Sequence, residues 1–251
     1  MTAEHISDAT AEVTWENLIP LEHWQTYKCV LEKLQREEIP FALGGGLALG
    51  VFTQKFRRSK DIDIYVEPQH RDRIIAMMTE CGLEDLYSKK EYVRDWIYRG
   101  HRDDVIVDAI WAMANRRAVV DRRWVEDGPT VQLFGGDYKV IPPEELMWSK
   151  LYVLQHDRCD WPDIMNLINA TGPSLDWEHL IRRVAEDRPL VKGVLSVFSW
   201  LCPDRAATIP RRIWDSLGLA VPGYSEPDPE GRPSRKDLLD TRPWFFLDCA
   251  A

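Results

Sequence analysis

The hydrophobic residues of this chain change their spacing along the sequence, and the change predicts which segments are helices and which are strands. From Leu21 to Leu34 the apolar positions recur every three or four residues, as in an amphipathic helix. Shorter segments then alternate or are continuously apolar, which indicates strands. Strands are predicted at 41–43, 61–66, 92–98 and 105–111, a hairpin at 131–134 and 138–141, and helices at 47–54 and after Pro68. This part of the chain is therefore predicted to form a mixed sheet with helices packed on it.

The pattern becomes helical after Pro142 and Pro143. Helices are predicted at 144–156, 161–170, 177–185 and 190–201. From residue 221 onward proline and glycine cluster with charged residues, which is typical of an irregular tail, although 244–247 is apolar enough to dock onto the body or a partner. The predicted fold class is α+β, a mixed β-sheet core with flanking helices followed by a helical region. The predicted domains are 1–141, 142–220 and the tail 221–251.

Composition and charge narrow the class of protein. The 251 residues are 45% hydrophobic, enough for a substantial core. A secretory leader and an apolar stretch of about 18 residues are both lacking, so a cytoplasmic protein without a membrane partner is expected. The net charge of −9 opposes general binding to nucleic acid. Four arginines form a local basic group that is either a solvated helix face or an RNA contact: Arg116, Arg117, Arg122 and Arg123.

The cysteines are five in number, scattered, and without a C-x-x-C pair. Such a pattern favours reduced cytosolic thiols over a disulfide framework, and most of the five are expected to be small core residues.

Two aspartates alternate with isoleucines in the strand predicted at 61–66. Side chains alternate along a strand, so Asp61 and Asp63 project from the same side. Close carboxylates repel, and a hard cation such as Mg²⁺ is the usual compensation. Asp108 interrupts a later apolar strand, where an isolated charge would be costly to bury. If the two strands are neighbours, three carboxylates can hold two Mg²⁺ ions about 3.5–4 Å apart, the spacing used in phosphoryl transfer.

A glycine turn precedes these aspartates. The segment Gly44-Gly45-Gly46 lies between a predicted strand and a predicted helix, where unpaired backbone N–H groups can bind phosphate. Each feature also has a structural interpretation. The glycines can simply form a tight turn, Asp61 can end a turn, and Asp63 or Asp108 can pair with a basic residue in the sheet.

Three segments, in this order, carry a resemblance to a known family: Gly45-Gly46-Leu47-Ala48-Leu49, then Arg58-Ser59-Lys60-Asp61-Ile62-Asp63, then Val107-Asp108. They resemble the nucleotidyltransferase superfamily typified by DNA polymerase β, and within it the bacterial branch of AbiEii-type toxins and antibiotic nucleotidyltransferases. A further match covers Lys150, Arg158, Asp160 and Asp163. The resemblance spans roughly residues 40 to 170 and is specific as an ordered set.

The resemblance implies an enzyme that moves NMP from an NTP to an acceptor and releases pyrophosphate. It implies Asp61, Asp63 and Asp108 as catalytic metal ligands for two Mg²⁺ ions. The residues expected to bind the NTP are Gly45, Gly46, Arg58, Ser59, Lys150 and Asp163. Lys150 can instead be a partly buried helix residue, and Asp163 an ordinary acid at a helix start. The acceptor stays open between a small molecule and tRNA or protein, as for a toxin, and a non-catalytic nucleotide-binding or interaction protein is the alternative.

Overall fold

The structure, a computed structural model, describes residues 19–55, 61–223 and Arg235. Its elements begin, in chain order, with α1 (Leu21–Arg36), β1 (Phe41–Leu43), α2 (Gly45–Thr53), β2 (Asp61–Val66), α3 (Arg71–Glu80), β3 (Glu84–Asp85), β4 (Ile97–Arg102), β5 (Val105–Ile110) and α4 (Arg122–Glu126). A hairpin follows, formed by β6 (Thr130–Leu133) and β7 (Gly136–Lys139). The described part ends with α5 (Pro143–Leu151), α6 (Trp161–Thr171), α7 (Trp177–Val184), α8 (Arg188–Leu201), α9 (Pro203–Ala206) and α10 (Arg211–Leu217). The predicted α+β class with a helical C-terminal region is confirmed.

Five strands form one mixed sheet in the order β1-β2-β5-β4-β3. The central strands β2 and β5 are parallel, and the other neighbouring pairs are antiparallel. On β2, Ile62 and Ile64 pack into a core shared with α1 and α3, whereas Tyr65 packs into a core shared with α5 to α8. Because side chains alternate along a strand, Asp61 and Asp63 lie on the same face as Tyr65. That face is the one covered by the C-terminal helices.

The fourth strand was expected at 92–98, and this prediction is wrong, because β4 begins only at Ile97. The apolar residues that suggested an earlier start are used by a loop. The hydroxyl group of Tyr92 donates to Asp85 (2.8 Å) and accepts the backbone N–H of Arg99 (3.0 Å). Tyr92 therefore contacts β4 from outside the strand, which periodicity alone does not distinguish from membership of the strand.

Helix α5 ends at Leu151, earlier than the residue 156 expected from the sequence. The chain then turns back on itself, with Leu154 and Cys159 forming an isolated bridge and the N–H of Asp160 donating to the carbonyl of Val153 (3.0 Å). This turn returns Asp160 to the end of α5, beside Lys150.

Cys29 and Cys81 form a disulfide, which corrects the expectation that the cysteines are all reduced. Cys29 lies on α1 and Cys81 follows α3, and the packing of these two helices brings their Cα atoms to 6.0 Å, a distance that allows the bond. The two residues are 52 positions apart, so their proximity depends on helix packing rather than on sequence spacing.

The division into domains at residue 141 stays a prediction. One buried cluster contains Ala42 and Tyr65 of the sheet together with Leu146 and Leu195 of the helices. The apolar segment 244–247 lies outside the described residues. In the part of the chain that the structure covers, no helix has the length and apolar character needed to cross a membrane.

Candidate active site

Helix α2 begins at a glycine turn that touches the carboxylate of Asp63. Gly44 donates its backbone N–H to the carbonyl oxygen of Asp63 (3.0 Å). Gly45 has a φ of +56°, which residues with a side chain rarely adopt. A Cβ atom on Gly45 would lie 1.6 Å from Oδ2 of Asp63, and one on Gly44 would lie 2.1 Å from the ring of Tyr65. The absence of two side chains therefore allows the N-terminal end of α2 to approach Asp63 closely.

Asp63 and Asp108 are direct neighbours in the central pair of parallel strands. The register of β2 and β5 sets Asp63 opposite Asp108, so their side chains leave the sheet on the same face. Asp61, two residues earlier on β2, projects from that face as well. The side chain of Asp108 is 4% exposed and that of Asp61 is 35% exposed. The three aspartates predicted from the sequence thus share one face, on which Asp108 is buried and Asp61 is partly exposed.

Arg99 of β4 connects two of these aspartates. Its Nε and Nη2 atoms donate to Oδ1 and Oδ2 of Asp108, each at 2.8 Å, and Nη2 is 3.7 Å from Oδ2 of Asp61. Pairing of Asp108 with a basic residue in the sheet was the structural alternative, and such a pair is present. Sequence analysis does not single out Arg99, because the predicted strand ends at residue 98. With the correct strand bounds, the register that sets Arg99 opposite Asp108 would have indicated it.

The carboxylates of this face are difficult to ionise together. Burial raises the pKa of Asp63 to about 7, with further contributions from the charges of Asp108 and Asp61, while Lys150 and Arg99 oppose the shift. Burial also raises the pKa of Asp108, and its hydrogen bonds to Arg99 oppose that shift. The local cations therefore do not fully neutralise the cluster. Perturbed acids of this kind, next to a glycine turn, are typical of functional sites.

We expect the metal-free protein to lose stability as the pH rises from about 4 to about 7. In this range native Asp63 keeps its proton, whereas in the unfolded chain it has released it, since the two pKa values are about 7 and 3.8. The native state then binds more protons, so the free energy of unfolding falls with rising pH, by at most about 1.4 kcal/mol per pH unit for this group. Urea denaturation in the presence of a chelator, compared with Asp63→Asn protein, measures the effect. Parallel pH profiles for the two proteins would contradict it.

Lys150 lies near this face but already has two carboxylate partners. Its Nζ atom donates to Asp160 (2.8 Å) and to Asp163 (2.7 Å), and the residue is 5% exposed. Arg158 donates to both oxygens of Asp160 at 3.0 Å. Burial would raise the pKa of Asp160, but Arg158 and Lys150 outweigh burial and lower it. Lys150 therefore anchors α6 to α5, and its predicted role at the triphosphate stays a prediction.

Replacing Lys150 with Met is expected to destabilise the protein by about 3–5 kcal/mol, because two carboxylates lose a buried cation. The double variant Lys150→Met with Asp163→Asn removes one of the two carboxylates that lose the lysine and should recover part of that loss, whereas Asp160 keeps its hydrogen bonds from Arg158. Chemical denaturation without nucleotide measures both. If Lys150→Met unfolds like the wild type and only loses affinity for NTP, the anchoring role is wrong and the lysine is a phosphate ligand.

The other residues that the sequence analysis names fall into three groups. Gly46 lies in the first turn of α2, beside Gly45. Arg58 and Ser59 lie outside the described residues, and their contact with a triphosphate stays a prediction. The four arginines of the basic group all have carboxylate partners, and the pairs are Arg116 with Asp95, Arg117 with Glu186, Arg122 with Glu126, and Arg123 with Asp127. Their surface is thus partly neutralised.

No group of three or more His, Cys, Asp or Glu residues among the described residues has the arrangement of a metal site. Both oxygens of Asp108 are held by Arg99 instead. The donors nevertheless fit a hard divalent cation. Asp61, Asp63 and Asp108 offer carboxylate oxygens on one face, and a cation would relieve their repulsion, which adds to the effect of burial in raising the pKa of Asp63.

A mixed sheet whose central parallel strands carry adjacent aspartates beside a glycine turn corresponds to the nucleotidyltransferase class that the sequence resembles. The family described as "Uncharacterised nucleotidyltransferase" matches residues 3–193, about three quarters of the chain, and the protein belongs to this family. No curated protein matches the chain.

Several solved structures are similar to this one at low sequence identity. The antibiotic-resistance factor ANT(2'')-Ia is 18% identical, with 69% of this chain and 95% of that chain covered and a TM-score of 0.46. The lincosamide antibiotic adenylyltransferase LnuA, bound to lincomycin, is 19% identical, with 57% and 94% covered and a TM-score of 0.41. An antigenic nucleotidyltransferase-like protein from Paracoccidioides brasiliensis is 17% identical, with 71% and 94% covered and a TM-score of 0.39.

Proposed function

We propose that the protein transfers a nucleoside monophosphate from an NTP to a hydroxyl group of an acceptor, with release of pyrophosphate, in a reaction that requires Mg²⁺. Membership of the nucleotidyltransferase family supports the reaction class. The single observation that carries the proposal is the register pair of Asp63 and Asp108 next to the turn at Gly45. It puts carboxylates and a helix N-terminus at one place, which suits a triphosphate with its cation.

Asp61 and Asp63 are the residues that would hold the cation, with Asp108 as the third carboxylate. Bound Mg²⁺ would neutralise charge on the triphosphate and lower the pKa of a coordinated hydroxyl group. The amides at the start of α2, at Gly45 and Gly46, would donate to the phosphates. Because the reaction is a displacement in line at phosphorus, most of the rate enhancement would come from positioning and charge stabilisation.

Asp108 is suited to a second task. It is buried, and burial raises its pKa, which favours transient uptake of a proton. In the proposed reaction its carboxylate would accept the proton of the acceptor hydroxyl as the oxygen attacks the α-phosphorus, and the α–β phosphoanhydride bond would break to release pyrophosphate. This role requires that an Asp108 oxygen becomes accessible, since Arg99 engages both.

A small hydroxyl-bearing molecule is the acceptor we favour over tRNA. The net charge is −9, and the arginines that suggested an RNA contact are each paired with a carboxylate. Binding to a polyanion depends on cations that are available to phosphates. A toxin acting on tRNA and a non-catalytic nucleotide-binding protein are the other outcomes of the test below.

The test is to incubate the protein with each α-labelled NTP, Mg²⁺ and three acceptor pools: small-molecule extract, total tRNA and total protein. We expect pyrophosphate release that stops in chelator, with label entering the small-molecule fraction. Label in tRNA would favour the toxin alternative. Binding of NTP without turnover in any pool would overturn the catalytic proposal.

A further inference from the structure

We propose that Arg99 is a positioning residue that takes the place of the second metal ion in the metal-free protein, so that Asp108 can bind a metal ion only after Arg99 has released it. This inference rests on the proposed function, because it concerns the same face of the sheet. It goes further by assigning an order to the filling of that face, which neither the family nor the resemblance provides.

The geometry of Arg99 matches that of a substitute cation. Its guanidinium donates to both oxygens of Asp108, and one of the same nitrogens lies 3.7 Å from Asp61. The side chain of Asp108 is 4% exposed and Arg99 engages both of its oxygens, so a cation that binds this carboxylate competes with Arg99. Forked pairs between arginine and carboxylate are among the strongest hydrogen-bonded ion pairs.

Asp63 differs from Asp108 in this respect. Asp63 faces the glycine turn, and the charges that lower its pKa act on it through space, with Arg99 and Lys150 as contributors. The side chain of Asp61 is 35% exposed, against 4% for that of Asp108. A first cation can therefore bind at Asp61 and Asp63 without breaking the fork on Asp108.

A second cation has to compete with Arg99 for the carboxylate of Asp108. The side chain of Arg99 is only 26% exposed in its pair with Asp108, so its guanidinium needs a new anionic partner when it leaves that carboxylate. An NTP brings several negative oxygens to this face, so the triphosphate supplies that partner. The second ion is therefore expected to bind with the nucleotide and not before it, which would keep the site incomplete until substrate is present.

If Arg99 only stabilised the fold, it would form the same pair with Asp108, and its loss could still lower activity. The test therefore counts bound metal ions rather than measuring activity. The probe is Mn²⁺ without nucleotide, with bound ions counted by electron paramagnetic resonance. Wild type, Arg99→Gln and Arg158→Gln are compared. Arg158 is the matched control, because its positive charge also acts on Asp63 while its hydrogen bonds go to Asp160 and not to the three aspartates.

We expect one bound Mn²⁺ in the wild type and in Arg158→Gln, and two in Arg99→Gln. The affinity of the second site for Mn²⁺ should be at least about tenfold higher in Arg99→Gln than in the wild type, which corresponds to about 1.4 kcal/mol in binding free energy. The double variant Arg99→Gln with Asp108→Asn should return to one ion. Equal gains in Arg99→Gln and Arg158→Gln would show a general charge effect and overturn the proposal. An unchanged ion count in folded Arg99→Gln would overturn it as well.

Loss of Arg99 strands a buried carboxylate, so the single variant can fail to fold. The wild type then carries the test, in crystals soaked with Mn²⁺ alone and with Mn²⁺ plus a non-hydrolysable NTP analogue. We expect Arg99 to remain on Asp108 with Mn²⁺ alone and to leave it when the analogue is present. The inference would be overturned if a second ion bound Asp108 while Arg99 stayed in place. It would also be overturned if Arg99 kept both hydrogen bonds to Asp108 with Mn²⁺ and the analogue bound. The inference and the proposed function can fail separately. Pyrophosphate release together with the same number of bound Mn²⁺ ions in wild type and Arg99→Gln refutes only the inference. Binding of Mn²⁺ in the expected order without turnover refutes only the function.

Discussion

Replacing Asp63 with Asn is expected to lower NTP turnover by about 10³-fold or more, equivalent to about 4 kcal/mol of transition-state stabilisation. Asp63 is the carboxylate that contacts the glycine turn and is paired in register with Asp108. Asn has nearly the same shape but cannot supply the negative charge that a cation needs. Pyrophosphate release under saturating NTP and Mg²⁺ measures the effect.

The matched control is Asp72→Asn. Asp72 carries the same side chain on α3, on the opposite face of the sheet, and is 90% exposed. This variant should keep wild-type turnover. Asp63→Asn should also remain folded, and at neutral pH without metal it should be at least as stable as the wild type, because a carboxylate whose pKa is raised by burial is removed. If folded Asp63→Asn retains more than about a tenth of the activity, the metal-ligand role is wrong.

The second large effect is expected for Gly45→Ala. The new Cβ atom would occupy a position 1.6 Å from Oδ2 of Asp63, at a backbone φ of +56°. The protein then has to move the α2 turn or the carboxylate. We expect a stability loss of about 3 kcal/mol or more from strain and overlap together. We also expect a fall in turnover of about 10²-fold, since a displacement near 1 Å at a reacting site has that effect.

Gly135→Ala is the control that separates the two causes. Gly135 also has a positive φ, +81°, but nothing lies within 4 Å of the Cβ atom it would gain. The backbone penalty alone, about 1–2 kcal/mol, should appear there without loss of turnover. Chemical denaturation and pyrophosphate release are measured for both variants. If Gly45→Ala matches Gly135→Ala in stability and in activity, the close approach of the turn to Asp63 has no functional consequence.

The sequence predicted the central strands and the shared face of Asp61 and Asp63 well, because these features depend on local pattern, whereas the catalytic roles of the three aspartates stay predictions. Strict alternation in β2 determines that Asp61 and Asp63 share a face, whatever the rest of the fold does. The interruption of β5 by Asp108 was equally visible, since a single acid in an apolar strand stands out. The pattern left open whether strands β2 and β5 are neighbours, and the register of the sheet shows that they are.

The site was less predictable where it depends on contacts between distant segments. Arg99 was not predicted, because the apolar loop around Tyr92 has the pattern of a strand. The strand was therefore predicted at 92–98, which ends before Arg99. The role of Lys150 at the triphosphate stays a prediction, but its pair with Asp160 depends on the turn after α5, which no local pattern encodes. Cys29 and Cys81 were predicted to be reduced thiols, because their disulfide depends on the packing of two helices and not on a sequence pattern.

By itself, the sequence determined the class of the fold, the shared face of Asp61 and Asp63, and the glycine turn that precedes them. These properties follow from side-chain periodicity and from the conformational freedom of glycine, which act over a few residues. Only the tertiary structure decided which charge faces which: Asp108 against Asp63, Arg99 on Asp108, and Lys150 between Asp160 and Asp163. Buried ion pairs form where the folded backbone brings opposite charges together. Strand register and helix packing determine which charged residues come into contact, and separation along the chain does not.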